Sequence, residues 1–143
     1  MVKIERLGVS ALLALLMLSG GPATAGEEDA IVGTYLNEKQ TAHIEIFKDG
    51  AAYSGRIVWH KENRKDYKNP DPALQDRPLV GLVFLKGFVY DPEEKEWDDG
   101  EVYAPDDGKT YSGYLWLGDG VLKMRGYVGI PLFGRTAVLT PLE

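Results

Sequence analysis

Residues 110–128 read TYSGYLWLGDGVLKMRGYV, and this stretch decides the fold class. Apolar or small residues alternate with polar ones on both sides of the turn GDG, which is the period-two pattern of two β-strands. The turn glycines accept the positive φ angles of a tight hairpin. The charged Lys123 and Arg125 are expected to face water, so the sequence predicts that Leu115 and Met124 point into a protein interior.

The same alternation recurs along the rest of the chain. The predicted strands cover residues 31–36, 42–47, 51–59, 79–90, 97–103, 110–117, 121–128 and 136–140. Gly- and Asp-rich turns join consecutive strands, which predicts an antiparallel meander. Eight such strands predict an all-β, up-and-down barrel with room for one small ligand. A two-sheet β-sandwich is the alternative, and the short local turns favour the barrel.

Residues 60–78 depart from the strand pattern. Asp71 followed by Pro72 is typical of a helix start, and Pro78 prevents a helix from continuing. We therefore predict one or two helical turns within a long loop that forms a lid over the barrel. Its candidate site residues are His60, Asp71 and Arg77.

The first 25 residues have the pattern of a signal peptide. Basic residues precede an uncharged apolar run at residues 7–18, and ATA at residues 23–25 matches a signal-peptidase site. The run is shorter than the roughly 20 residues that span a bilayer. We expect cleavage before Gly26, export to the periplasm or medium, no remaining transmembrane segment, and a single barrel domain at residues 26–143.

Composition excludes several classes of protein. The 143 residues include 16 Lys and Arg, 22 Asp and Glu and no Cys. The net charge of −6 argues against nucleic acid as a partner. The absence of Cys removes disulfides and thiolate metal sites. Neither a nucleophile motif nor a phosphate-binding loop is present, so we expect no enzyme activity, no catalytic residues, no metal and no cofactor.

Two questions stay open at this stage. The acidic stretch at residues 91–107 lacks the spacing of a calcium-binding loop and is typical of hairpin turns, and calcium binding is left undecided. The interior is either a cavity or a filled core. Glycines at 55, 113 and 126 favour free volume. The inward-facing candidates for ligand contact are Tyr53, Ile57, Trp59, Tyr111, Leu115 and Met124.

Several spaced segments resemble one bacterial family. They are GRIVW at 55–59, NPDPAL at 69–74, RPL at 77–79 with Gly81, YAPDDGKTY at 103–111, RGYVG at 125–129 and LFGRT at 132–136. In this order they closely resemble the bacterial domain-of-unknown-function family 2147. The resemblance implies a small exported protein of Gram-negative bacteria with a lipocalin-like barrel, and it implies no named activity.

The lipocalin-like barrel also implies a closure at one end. In such barrels a Gly-x-Trp opens the first strand, and an arginine from the last strands packs across the ring. Gly33 and Tyr35 match this pattern with Tyr in place of Trp, and Arg135 is the matching arginine. A guanidinium over an aromatic face contributes about 0.5 to 2 kcal/mol.

The leading functional hypothesis is a periplasmic module that binds a small hydrophobic or amphipathic ligand, such as a lipid. The alternative is an envelope protein that contacts a partner through the outer-surface aromatics Tyr114 and Trp116. The sequence does not indicate the oligomeric state.

Overall fold

The computed structural model describes residues 26–142, so the predicted signal peptide lies outside the described residues. The strands are β1 (Gly33–Leu36), β2 (Ala42–Asp49), β3 (Ala52–His60), β4 (Val83–Asp91), β5 (Glu96–Ala104), β6 (Lys109–Gly118), β7 (Val121–Tyr127) and β8 (Arg135–Pro141). Each strand pairs antiparallel with the next, and β8 pairs with β1. The predicted eight-stranded up-and-down barrel is confirmed.

The barrel has two different ends. Tight hairpins join β2 to β3, β4 to β5 and β6 to β7 at one end, which we call the closed end. The other four connections lie at the opposite end, which we call the mouth, and include the β3–β4 loop (residues 61–82) and the β7–β8 loop (residues 128–134). Within residues 26–142, no helix is long and apolar enough to cross a membrane.

A short 3₁₀ helix, Glu27–Ile31, seals the closed end. The indole Nε1 of buried Trp97 donates to the Glu28 carbonyl oxygen at 2.9 Å. The hydroxyl of Tyr53 donates to the Asp29 carboxylate, and burial together with that carboxylate raises the pKa of Tyr53. These contacts fasten the helix to β3 and β5.

Large side chains fill the part of the barrel near the closed end by packing against glycines. A Cβ atom at Gly100 would lie 2.3 Å from the ring of Phe88, and one at Gly55 would lie 2.9 Å from Leu85. A Cβ at Gly113 would also clash with a neighbouring side chain, at 2.7 Å. The expectation that Gly55 and Gly113 leave free volume is therefore wrong, because other core side chains already occupy that space.

A β-bulge near the end of β3 reverses the predicted faces. Ile57 pairs with Ile44 and Trp59 pairs with His43, which leaves Val58 as an extra residue between them. Trp59 is consequently 42% exposed on the outer face, where its ring lies 4.5 Å from that of His43. The prediction that Trp59 lines the interior is wrong, because one inserted residue inverts the alternation.

The predicted helical turn in the long loop is present. It is a 3₁₀ helix, Pro72–Leu74, and Asp71 caps its start by accepting a hydrogen bond from the Ala73 backbone N–H at 3.0 Å. Asp71 makes this cap and does not line the cavity described below, so its role in the β3–β4 loop is structural.

Candidate functional site

The part of the barrel next to the mouth contains a cavity of about 330 Å³, which opens at the mouth. Its walls are mainly apolar. They include Ile44, Ile57, Leu79, Phe84, Met124 and Leu139. Ile44 on β2 pairs with Ile57 on the neighbouring β3. Leu79 belongs to the β3–β4 loop, and its side chain is buried, at 2% exposure. The interior is therefore filled near the closed end and hollow near the mouth.

Charged side chains surround the opening of this cavity. Arg64 Nη1 donates to Asp106 Oδ1 at 2.7 Å, and Lys39 Nζ lies 3.4 Å from the other carboxylate oxygen. The hydrogen bond from Arg64 lowers the pKa of Asp106, so this carboxyl is ionised at neutral pH. The Nε of Arg64 is buried and has no hydrogen-bond partner within residues 26–142.

Two further basic residues, His60 and Arg135, line the opening. The Nδ1 of His60 lies 2.7 Å from the Glu62 carbonyl oxygen, which fixes the ring against the start of the β3–β4 loop. Arg135 begins β8 and is exposed. Among the described residues, no carboxylate lies within salt-bridge distance of Arg135.

The position of Arg135 contradicts the predicted closure over Tyr35. Tyr35 pairs with Pro141 at the far end of β8, six positions from Arg135, which corresponds to about 20 Å along a strand. The Tyr35 hydroxyl instead donates to the Ile31 carbonyl oxygen at 2.9 Å, and burial raises the pKa of Tyr35. Gly33 and Tyr35 thus belong to the closed end, whereas Arg135 belongs to the mouth.

The β3–β4 loop is organised by Asp66, a residue that the sequence analysis missed. Its side chain is fully buried and accepts hydrogen bonds from Arg77 Nε at 2.9 Å, from the Asn69 amide at 2.8 Å and from the Tyr103 hydroxyl at 2.7 Å. Burial and the Asp66 carboxylate raise the pKa of Tyr103. Asp66 sits among charged residues in the sequence, so no local pattern distinguishes it from a solvated side chain.

The β3–β4 loop is also held against the β5–β6 turn. Lys68 Nζ donates to the Asp106 carbonyl oxygen at 2.9 Å. Gly108 has a φ of +72°, and a Cβ there would lie 2.0 Å from the Lys68 carbonyl oxygen. Only glycine fits this turn both by conformation and by space. The loop is therefore a fixed part of the mouth.

The family model of DUF2147, described as an uncharacterised protein conserved in bacteria, matches residues 33–140. The chain belongs to this family. No curated protein matches the sequence.

A solved structure supports the fold. The chain is similar to protein HP1028 from Helicobacter pylori, which is described as belonging to the lipocalin family. The TM-score is 0.69 and the sequence identity 22%, over 84% of this chain and 85% of that chain. At this identity the likeness concerns the fold alone, and it agrees with the lipocalin-like barrel.

Much of the sequence that carries the family resemblance lies at the mouth. Four of the segments that carry the resemblance to DUF2147 lie there, namely residues 69–74 and 77–79 in the β3–β4 loop, residues 103–111 around the β5–β6 turn and residues 132–136 across the start of β8.

The structure separates the predicted ligand-contact residues. Of the inward-facing candidates, Ile57 and Met124 line the cavity, and His60 of the predicted lid loop lines it as well. Tyr53 and Leu115 are buried nearer the closed end and do not line it.

Two further predicted residues near the mouth, Tyr111 and Arg77, bind neighbouring carboxylates and do not line the cavity. The Tyr111 hydroxyl donates to the Asp107 carboxylate, and this hydrogen bond lowers the pKa of Asp107. Arg77 binds Asp66 and has a structural role, since it does not line the cavity.

The outer face carries the aromatic pair predicted as an alternative contact surface. The rings of Tyr114 and Trp116 stack with centroids 5.3 Å apart, and both side chains are half-buried. They lie opposite Arg125 and Lys123 in the β6–β7 register, which places all four on the outside of the barrel. Within residues 26–142, no group of three His, Asp or Glu side chains is arranged to hold a metal ion.

Proposed function

We propose that the protein is an exported module that binds a small amphipathic ligand, with the apolar part in the cavity and an anionic head group at the mouth. The observation that carries this proposal is the apolar cavity of about 330 Å³ with arginines at its opening. Ligand pockets in proteins are commonly concave and mainly apolar with a few polar groups, and this volume lies at the lower end of their range.

The cavity volume limits the apolar part of the ligand. A water molecule occupies about 30 Å³ in the liquid, so the cavity holds roughly ten groups of that size. A methylene group is of comparable size, and each one buried contributes about 0.8 kcal/mol. The proposed ligand therefore has a medium-length acyl chain or an equally small ring system.

At the opening, Glu38, Glu62 and Asp106 balance Lys39, Arg64 and Arg135, so a negative head group is favoured by particular donors and not by net charge. The buried Nε of Arg64 is a donor without an acceptor, and the Arg135 guanidinium is not neutralised by a carboxylate within the described residues. Buried donors are seldom left unpaired in folded proteins, so an acceptor from a ligand or water is expected here. A carboxylate accepts two hydrogen bonds from one guanidinium, which makes it the best-matched head group.

Export is part of the same proposal. The 3₁₀ helix that seals the closed end starts at Glu27, one residue after the predicted cleavage site. Cleavage before Gly26 would therefore leave every contact of that seal in place. We treat the protein as a binder without catalytic activity, since the mouth offers guanidinium and carboxylate groups that bind one another or a head group.

The test uses decanoate and its neutral analogue decanol. Isothermal titration of residues 26–143 should show binding of decanoate and weaker binding of decanol. Met124 lines the cavity, so Met124→Trp should fill it and abolish binding, at an overpacking cost of about 1 to 3 kcal/mol. Met124→Leu is the matched control, because it conserves volume and should keep the affinity.

The outcomes separate the functional alternatives. Native mass spectrometry of protein purified from its exported fraction should reveal a bound small molecule that Met124→Trp lacks. If neither probe binds and Met124→Trp is as stable as the unmodified protein, the cavity has no ligand role. The outer-surface contact through Tyr114 and Trp116 would then become the leading function.

A further inference from the structure

A second cleft, of about 240 Å³, lies between the β3–β4 loop and the outer face of β4 and β5. Leu85 and Val102 pair on the inner face of these strands and are buried. The next pair in register, Lys86 and Glu101, therefore faces outwards, and both residues line the cleft. The cleft and the cavity thus lie on opposite faces of the same sheet.

Lys86 and Glu101 carry opposite charges that are not paired. Residues at facing positions of antiparallel strands have Cβ atoms about 5 Å apart, so the two side chains rise from neighbouring points of the sheet. Both are exposed, and neither takes part in a salt bridge among the described residues. The cleft therefore offers one ammonium and one carboxylate that no other charged side chain engages.

Arg77 brings a third charged group to the lining of the cleft. Its Nε and Nη2 bind the Asp66 carboxylate, whereas its Nη1 makes no hydrogen bond within residues 26–142. Asp66 balances the charge of Arg77, and Glu101 balances that of Lys86. The cleft consequently has no net charge, although it presents separate donors and an acceptor for charged groups.

Apolar side chains complete the lining, namely Leu74, Leu82 and Val83. Leu74 ends the 3₁₀ helix of the β3–β4 loop and is 37% exposed. A small apolar group bound beside it would remove apolar surface from water. Since Asp66 and the Asp71 cap already fix this loop, binding would not have to offset the cost of ordering it.

We propose that this cleft binds a free aliphatic α-amino acid of the size of valine or leucine. The ligand carboxylate would accept hydrogen bonds from Lys86 Nζ and Arg77 Nη1, and its ammonium would donate to Glu101. Charge-assisted hydrogen bonds of this kind are the strong ones. The ligand side chain would lie against Leu74 and Leu82.

Charge and size together select this class of ligand. A simple anion would be repelled by Glu101 and a simple cation by Lys86, whereas a zwitterion gives each of them a partner. At about 30 Å³ for a water-sized group, the cleft holds roughly eight such groups, which suits valine or leucine and excludes tryptophan. The inference does not depend on the ligand proposed for the cavity.

Titration of residues 26–143 with L-leucine, followed by backbone amide NMR, tests the proposal. Leucine should shift the amide signals of Lys86, Glu101 and Thr110, which line the cleft, and leave that of Leu139 in the cavity unchanged. Leucine amide lacks the carboxylate, isocaproate lacks the ammonium and glycine lacks the apolar side chain. Each of the three should bind about tenfold more weakly or worse.

Variants identify the two charges. Lys86→Gln and Glu101→Gln should each weaken leucine binding by about tenfold or more, because a hydrogen bond to a charged group is lost. Their matched controls are Lys109→Gln and Glu93→Gln, which make the same changes at exposed residues that do not line the cleft and should bind as the unmodified protein does.

Met124→Trp separates this proposal from that for the cavity. It should abolish decanoate binding and leave leucine binding unchanged, since Met124 does not line the cleft. The proposal is overturned if millimolar leucine causes no shifts, or if the shifts fall on the cavity lining. It is also overturned if leucine amide or isocaproate binds as well as leucine, or if Lys86→Gln and Glu101→Gln keep the full affinity.

Discussion

The Nε and Nη2 atoms of Arg77 both lie 2.9 Å from one oxygen of the Asp66 carboxylate, whose side chain is completely buried. These residues stand near the two ends of the β3–β4 loop, so the pair joins its outgoing and returning arms. Asn69 and Tyr103 donate to the same carboxylate. One acidic side chain thus satisfies donors from three parts of the mouth.

Asp66→Ala should destabilise the protein by about 2 to 4 kcal/mol. The substitution leaves the guanidinium and two neutral donors without their acceptor, and breaking a fully buried ion pair costs about 3 to 5 kcal/mol. Arg77 is 34% exposed and regains some solvation, which reduces the cost. Urea denaturation gives the stability, and limited proteolysis should show cleavage within residues 61–82. Asp76→Ala removes an acid of the same loop that is 98% exposed, and it should change neither measurement.

The two tryptophans Trp59 and Trp97 should respond differently to replacement by phenylalanine. Trp59 is on the outer face, so Trp59→Phe should change the free energy of unfolding by less than about 0.5 kcal/mol. Trp97→Phe removes the donor to the Glu28 carbonyl and should cost about 1 to 3 kcal/mol. Chemical denaturation of both variants checks the bulge in β3. Equal costs would mean that Trp59 points inward after all.

Arg135→Ala should weaken the binding of decanoate severalfold and leave the binding of decanol unchanged. The fold should lose less than about 0.5 kcal/mol, because the Arg135 side chain is exposed and makes no hydrogen bond among the described residues. Titration calorimetry measures both ligands. Lys61→Ala is the control, since it removes the same charge at the mouth without touching the cavity lining. Equal losses in both variants would indicate long-range attraction instead of contact.

Glu96→Gln should stabilise the protein at neutral pH by less than about 1 kcal/mol. Partial burial and the nearby carboxyl of Asp98 raise the pKa of Glu96, and burial raises that of Asp98. The folded state therefore binds these protons more tightly than the unfolded chain. Ionisation of the two carboxyls thus destabilises the fold at neutral pH, and this destabilisation disappears as the pH falls below the ordinary Glu pKa of 4.5. The denaturation midpoints of Glu96→Gln and of the unmodified protein should differ at neutral pH and converge at acidic pH. Glu101→Gln, which faces Lys86 in register, should not stabilise.

Local patterns in the sequence were sufficient to predict the eight-stranded barrel. The alternation in β6 and β7 and the Gly-rich turns report on pairs of neighbouring strands, and the up-and-down topology uses almost only such pairs. Trp59 was misplaced because a one-residue bulge leaves no mark in the alternation.

The errors at the mouth came from long-range geometry. Asp66 acquires its partners only when the β3–β4 loop folds back on β5, and nothing near it in the sequence indicates this. The contact of Arg135 with Tyr35 came from the family resemblance, and it fails because the offset between β1 and β8 puts them at opposite ends. Ile57 and Met124 were placed correctly on inward faces, since each lies on a strand stretch without a preceding bulge.

The pairing of β1 with β8 has a consequence for folding kinetics. It consists of two residue pairs, Tyr35 with Pro141 and Leu36 with Thr140, and joins residues more than a hundred positions apart along the chain. The other seven pairings can form between successive hairpins, whereas this one must bring the chain ends together. We expect it to form last and to open first, so that native-state hydrogen exchange is fastest along this seam. Because Leu139 of β8 lines the cavity, transient opening of the seam would give a ligand a lateral exit.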